Sequence, residues 1–235
     1  MSKTKSYNKE LHLKRDKQYI NKKREEWAVK FVRLFGTPLA KGISLLPVKI
    51  HPNIITILSF PFAILAGFYF FNNQLIYGAI FFFISYILDT ADGALARLTN
   101  TESRFGQRLD FYIDILGNIF MYFGLWYSQF YLYNQWLIGG AIIAAHYFVM
   151  AFGYIFIKNR TYKTIFPNIS SYYSAADEGI LTFFFIPIIS NFHTGLIRNA
   201  IPILVALQFV SYLILFLIQK EKPDVINNIK KILKL

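Results

Sequence analysis

The sequence predicts an all-α integral membrane protein: six transmembrane helices with both termini cytoplasmic, preceded by an interfacial amphipathic helix. Three observations carry this expectation. Of 235 residues, 55% are hydrophobic and 19% aromatic, and mean hydropathy is +0.38, too apolar for an ordinary soluble domain. Apolar runs of spanning length recur along the chain. Cations fall between those runs almost all on one side: six spans with both ends inside place 24 of the 25 Lys and Arg in the cytoplasm and leave Arg198 outside.

Residues 1–50 form a basic N-terminal segment holding 13 of those cations. Its first twenty residues are polar and read as poorly ordered. From Glu26 to Leu46 the pattern turns amphipathic: Trp27, Phe31, Leu34 and Phe35 follow helical spacing, with Arg33 roughly opposite and Lys30 at the flank. Gly36 and Pro38 are expected to break that helix, leaving Leu39, Lys41 and Leu45 to a second, shorter piece. Such a segment would lie in the interface with its cations toward anionic headgroups.

Residues 51–220 hold the six spans, placed at 54–73, 75–97, 105–131, 135–157, 177–195 and 199–219. The fifth has polar ends and is interrupted by Pro187. The first lacks the pattern of a cleaved signal and is read as retained. Residues 221–235 are a basic tail. Cysteine is absent, which excludes disulfides and thiol catalysis. The cation distribution fits a membrane surface rather than nucleic acid.

The chemistry concentrates between Asp89 and Asp114. Asp89, Asp92, Gly93, Ala96 and Arg97 share one helical face; Gly106, Asp110 and Asp114 step by four along the next helix. Packed antiparallel, the two helices would bring four carboxylates together, with small residues leaving a slot beside them. A carboxylate at the bilayer centre costs about 2.5–3.5 kcal/mol on insertion scales, so four of them call for divalent cations. Counting about 1.5 Å per residue from Leu75, Asp89 lies roughly 21 Å into a ~30 Å core, so the cage opens toward the cytosol.

This stretch matches D-x2-D-G-x2-A-R-x8-G-x3-D-x3-D and resembles the signature of the CDP-alcohol phosphotransferase (phosphatidyltransferase) family, with all eight defining positions present. The resemblance implies transfer of a substituted phosphate from a CDP-linked donor, such as CDP-diacylglycerol or an archaeal equivalent, to an acceptor alcohol, with release of CMP. It implies one or two Mg²⁺ or Mn²⁺ ions, with two as the family expectation, on Asp89, Asp92 and Asp110. Asp114 would also touch a metal and act as general base. Gly93, Ala96 and Gly106 would leave room for the nucleotide, and Arg97 would contact phosphate. His51-Pro52-Asn53 with Thr56 resembles the start of the family's first span, giving Asn53 and Thr56 a nucleotide-side role; Pro52 is equally an ordinary helix-start residue. The family's usual homodimer in the cell membrane, with its site facing the cytoplasm, is also implied.

An intramembrane prenyltransferase and an ion-coupled secondary transporter are the alternatives. The first spreads its acidic motifs over distant parts of a chain, and no inverted repeat supports the second. His146 is read as a satisfied core histidine, and Asp177 with Glu178 as a pair complementing a helix N-terminus. Bulky Tyr112 should point away from the carboxylates, with Phe111 to their side. Lys158, Arg160 and Lys163 read as topology signals, or as an anion site with Arg104 and Arg108 if the acceptor is phosphorylated. The motif does not identify the acceptor.

Overall fold

A computed structural model describes residues 27–156, 173–193, 195–218 and 225. The described residues are helical, without strands. In chain order they form α1 (Trp27–Ser44), α2 (Pro52–Phe71), α3 (Leu75–Thr99), α4 (Arg104–Gln129), a 3₁₀ turn (Tyr131–Tyr133) and α5 (Trp136–Phe156). Then come α6 (Ala175–Ile180), a π turn (Leu181–Phe185), α7 (Ile186–Ser190) and α8 (Leu196–Ile218). Four of these, α2, α3, α5 and α8, are long and apolar enough to cross a membrane. At 26 residues α4 has the length, but Arg104, Arg108, Asp110 and Asp114 crowd its first half. The basic cluster Lys158, Arg160 and Lys163, the first twenty-six residues and nearly all of the C-terminal tail lie outside the described residues.

Local chemistry sets the helix ends. His51 caps α2, its Nδ1 accepting from the Asn53 N–H at 3.2 Å, with Pro52 in the first turn. Ser103 caps α4 by accepting from the Gly106 N–H at 2.9 Å. Asn73, Asn100 and Asn134 take positive φ (55–58°) at the turns that follow α2, α3 and the 3₁₀ turn. Asparagine tolerates that conformation best among residues with a Cβ.

Two expectations are corrected. α1 does not break at Gly36 and Pro38; it runs on to Ser44. Its buried stripe is Ala28, Val32, Gly36 and Ala40, while Trp27, Leu34, Phe35 and Leu39 are exposed. The small residues let α1 lie close against α3, where a Cβ on Gly36 would collide with the Thr90 hydroxyl and come within 3.1 Å of the Ile87 carbonyl. Tertiary packing thus overrides the two breakers. The second correction concerns Pro187. The chain stays helical through it, because a π turn precedes it and the Ile186 N–H reaches back to the Leu181 carbonyl. A residue without an N–H then fits where the ladder has already shifted.

α2 is the keel of the front half. Both α3 and α4 pack along it, and they have little direct contact with each other. The approach of α4 is close: a Cβ on Gly67 would stand 2.6 Å from the Phe120 carbonyl, and one on Gly124 would meet the Gly67 carbonyl. Small residues permit such contact between membrane helices. Ser85 ties α3 to α2 by donating to the Ser59 carbonyl at 2.9 Å, and Gln129 ties the end of α4 to Asn73 at 2.6 Å. α5 and α8 pair behind this unit, with α6–α7 between them and α3.

Asp177 joins the ends of two helices far apart in sequence. It completes a capping box with Ser174 at the start of α6, and its Oδ1 accepts from the Ala28 N–H of α1 at 3.1 Å. Its expected service to a helix N-terminus therefore extends to a second helix.

Candidate carboxylate site

α3 and α4 flank α2 instead of packing antiparallel on each other, and the gap between them is a cavity of about 450 Å³. Asp89, Asp92, Asp110 and Asp114 all line it, together with Gly93 and Arg97. Oxygen atoms of Asp89, Asp92 and Asp110 lie within 4.8 Å of one another. Asp92 is buried, Asp89 and Asp110 are half-buried, and Asp114 is exposed into the cavity. The two faces predicted from spacing do converge, but across a space rather than across a helix contact.

The remaining motif residues stand behind this lining. Thr56, buried on α2, donates its hydroxyl to Asp92 Oδ2. Asn53 stands against Gly106, whose added Cβ would lie 3.0 Å from Asn53 Oδ1. Gly93 leaves its space to the Arg97 guanidinium, 3.4 Å from where a Cβ would be. Asn53, Thr56, Ala96 and Gly106 do not reach the cavity lining. Tyr112 is exposed, and Phe111 lines the cavity with its ring 6.1 Å from that of Tyr154.

Three carboxylates presenting only oxygen at this spacing fit a hard divalent cation, Mg²⁺ or Mn²⁺, and suit no soft metal. Thr56 has the place of an outer partner that orients one of them. The cavity also takes in residues that spacing did not mark: Arg33 of α1, His146 of α5 and Glu178 of α6. Glu178 differs from its expected part as a helix-end charge. It is buried, and its Oε1 accepts from the Tyr122 and Thr182 hydroxyls, each at 2.7 Å.

The sequence model of the CDP-alcohol phosphatidyltransferase family matches residues 49–219. An archaetidylinositol phosphate synthase of Pyrococcus horikoshii is 38% identical over 84 residues, 36% of this chain and 45% of that protein. A CDP-diacylglycerol–serine O-phosphatidyltransferase of Helicobacter pylori is 35% identical over 102 residues, 42% of this chain and 41% of that one. The matched part thus spans less than half the length of each curated relative. Among solved structures, the Mycobacterium tuberculosis phosphatidylinositol phosphate synthase crystallised with CDP-DAG has the same fold. Its TM-score is 0.61 at 18% identity, covering 81% of this chain and 96% of that one.

Proposed function

Because the chain belongs to the CDP-alcohol phosphatidyltransferase family, we propose that it transfers a substituted phosphate from a CDP-linked lipid donor to an acceptor alcohol, releasing CMP, in phospholipid biosynthesis. One observation carries this reading: four carboxylates of one motif face a single cavity from two helices. Family membership sets aside the prenyltransferase and transporter readings.

Asp89, Asp92 and Asp110 would hold the divalent ions, two by the family expectation, with Asp114 beside them. When bound, Mg²⁺ or Mn²⁺ supplies positive charge to the diphosphate and to the departing CMP. Asp114, open to the cavity, takes the proton from the acceptor hydroxyl. The acceptor oxygen then bonds to the phosphorus that carries the lipid, and the bond from that phosphorus to the oxygen of CMP breaks. Arg97 binds phosphate oxygens, and Gly93 keeps the space for its guanidinium. Thr56 holds Asp92 in orientation, while Asn53 and Gly106 with Ala96 shape the floor behind the nucleotide.

The proposed topology has six spans. α4 at 26 residues covers roughly 39 Å, and the 16 residues of α6–α7 cover about 24 Å, slightly under a ~30 Å core. The cation pattern puts both termini and the cavity mouth on the cytoplasmic side of the cell membrane. In this arrangement α1 lies at the interface with Trp27, Leu34 and Phe35 toward lipid. The chain divides into a basic segment at 1–50, a catalytic domain at 51–220 and a tail at 221–235, and acts as a homodimer. The test is CMP release by the purified protein in proteoliposomes with CDP-diacylglycerol, Mg²⁺ and a panel of alcohols. Release that depends on one alcohol supports the reading, and no release with any alcohol overturns it.

A further inference from the structure

The cavity has a second polar wall, built from helices that contribute nothing to the motif. His146 of α5 and Glu178 of α6 both line it, and their side chains are 3% and 1% exposed. His146 Nδ1 lies 3.3 Å from Glu178 Oε2 and 3.1 Å from the Tyr122 hydroxyl. The Tyr122 hydroxyl in turn donates to Glu178 Oε1.

Hydrogen accounting fixes the ring. The single hydrogen of Tyr122 goes to Glu178, so it cannot also serve His146. Glu178 already accepts from the Tyr122 and Thr182 hydroxyls, and with it as acceptor again the hydrogen between the imidazole and Oε2 sits on Nδ1. A neutral imidazole with Nδ1 protonated carries its lone pair on Nε2, the nitrogen these contacts leave unused in a residue that lines the cavity. A histidine serving only the core would have both nitrogens satisfied by protein. This one has a single nitrogen tied down and borders the space where the carboxylates stand. An ionisable pair inside a membrane bundle is also costly to keep without use.

We propose that His146 is an acceptor-binding residue. Its Nε2 accepts a hydrogen bond from a hydroxyl or ammonium group of the acceptor other than the hydroxyl that reacts, and Glu178 holds the ring in the required tautomer. The acceptor is therefore a polyol or an amino alcohol rather than a simple mono-alcohol. This deepens the phosphotransferase reading and rests on it.

Glu178→Gln gives the sharpest test. The Gln carbonyl can still accept from Tyr122 and Thr182, while its NH₂ now faces His146 Nδ1. The ring must then accept at Nδ1 and protonate at Nε2, turning an acceptor into a donor without changing shape. Steady-state CMP release from CDP-diacylglycerol is measured with inositol as the polyol, serine as the amino alcohol and propanol as the mono-alcohol. Wild type should use inositol or serine and not propanol, and the arm that works identifies the donor group. With that acceptor, Glu178→Gln should raise the acceptor KM about tenfold while the donor KM stays within about twofold. His146→Gln, which can place a carbonyl near the former Nε2, should lose less than His146→Ala.

A deoxy or methoxy analogue of the working acceptor tests the same bond in the wild-type protein, independently of whether any variant folds; its KM should rise similarly. Unchanged acceptor KM in Glu178→Gln, equal change in both KM values, an unaffected analogue or efficient use of propanol would each overturn this proposal and leave the phosphotransferase reading standing. No CMP release with any alcohol would overturn both.

Discussion

The two walls of the cavity are built in opposite ways. The carboxylate wall comes from one stretch of 26 residues, folded as consecutive helices that share a single supporting helix, α2. The other wall takes His146 from α5 and Glu178 from α6, with Tyr122 of α4 bonding both from behind the lining and up to 56 positions separating hydrogen-bonded partners. In the proposed reaction the first wall serves the half of the chemistry shared across a family, the CDP donor. The second serves the half that differs from member to member. A shared task can be written as a local motif, whereas a variable one is assembled from whichever side chains the bundle brings alongside.

Removing divalent cations should produce the largest effect and strike the first wall alone. A chelator is expected to abolish CMP release, and added Mg²⁺ or Mn²⁺ to restore it, because clustered carboxylates repel a diphosphate unless cations lie between them. Turnover in metal-free buffer would dissolve the distinction between the walls.

Asp114→Asn should come next, lowering turnover by about 10²–10⁴-fold, the usual contribution of a positioned base. Donor binding, followed by equilibrium binding of a CDP-lipid, should be largely retained. Near-normal turnover would remove Asp114 from its role.

A smaller effect is expected one layer back. Thr56→Val keeps the shape but deletes the hydroxyl that donates to Asp92. The Mg²⁺ concentration for half-maximal activity should rise by roughly 10–100-fold, as for other partners that orient metal ligands. An unchanged Mg²⁺ requirement would make Thr56 a packing residue only.

Tyr122→Phe probes the second wall and should do least. Thr182 still donates to Glu178 Oε1, and His146 Nδ1–H still faces Oε2, so the tautomer persists. Loss of one buried hydrogen bond should cost about 1 kcal/mol, seen as a lower unfolding temperature in detergent, with the acceptor KM nearly unmoved. A large KM change would mean that Tyr122, not Glu178, sets the ring.

The same contrast explains what the sequence could reveal. Helix positions for α2, α3, α4, α5 and α8 follow from apolar runs bounded by polar turns, and the structure shifts their ends by only a few residues. The eight motif residues were visible because helical periodicity alone puts them on two faces. What periodicity cannot supply is the partner of each face. It suggested that α3 and α4 pack on each other, when glycines at 67 and 124 draw α4 onto α2 instead. Gly36 and Pro38 read as breakers because the stabilising contact with Thr90 and Ile87 lies fifty residues away. Read locally, His146 is a core histidine and Glu178 a helix-end charge. Only the fold shows them 3.3 Å apart at the edge of a cavity.

The bond from the Ala28 N–H to Asp177 also has a meaning in time. The two residues are 149 positions apart. At about 5–20 residues per second, a ribosome needs roughly 7–30 s to add that length, and the first turn of α1 lacks this acceptor throughout. α1 can rest against α3 much earlier, but it is latched only when the start of α6 has been made. Val29 sits one residue and Arg33 five residues beyond the latch, and both border the carboxylate cavity. The helix that borders the carboxylate cavity at Val29 and Arg33 thus waits for its N-terminal latch on a residue made 149 positions later.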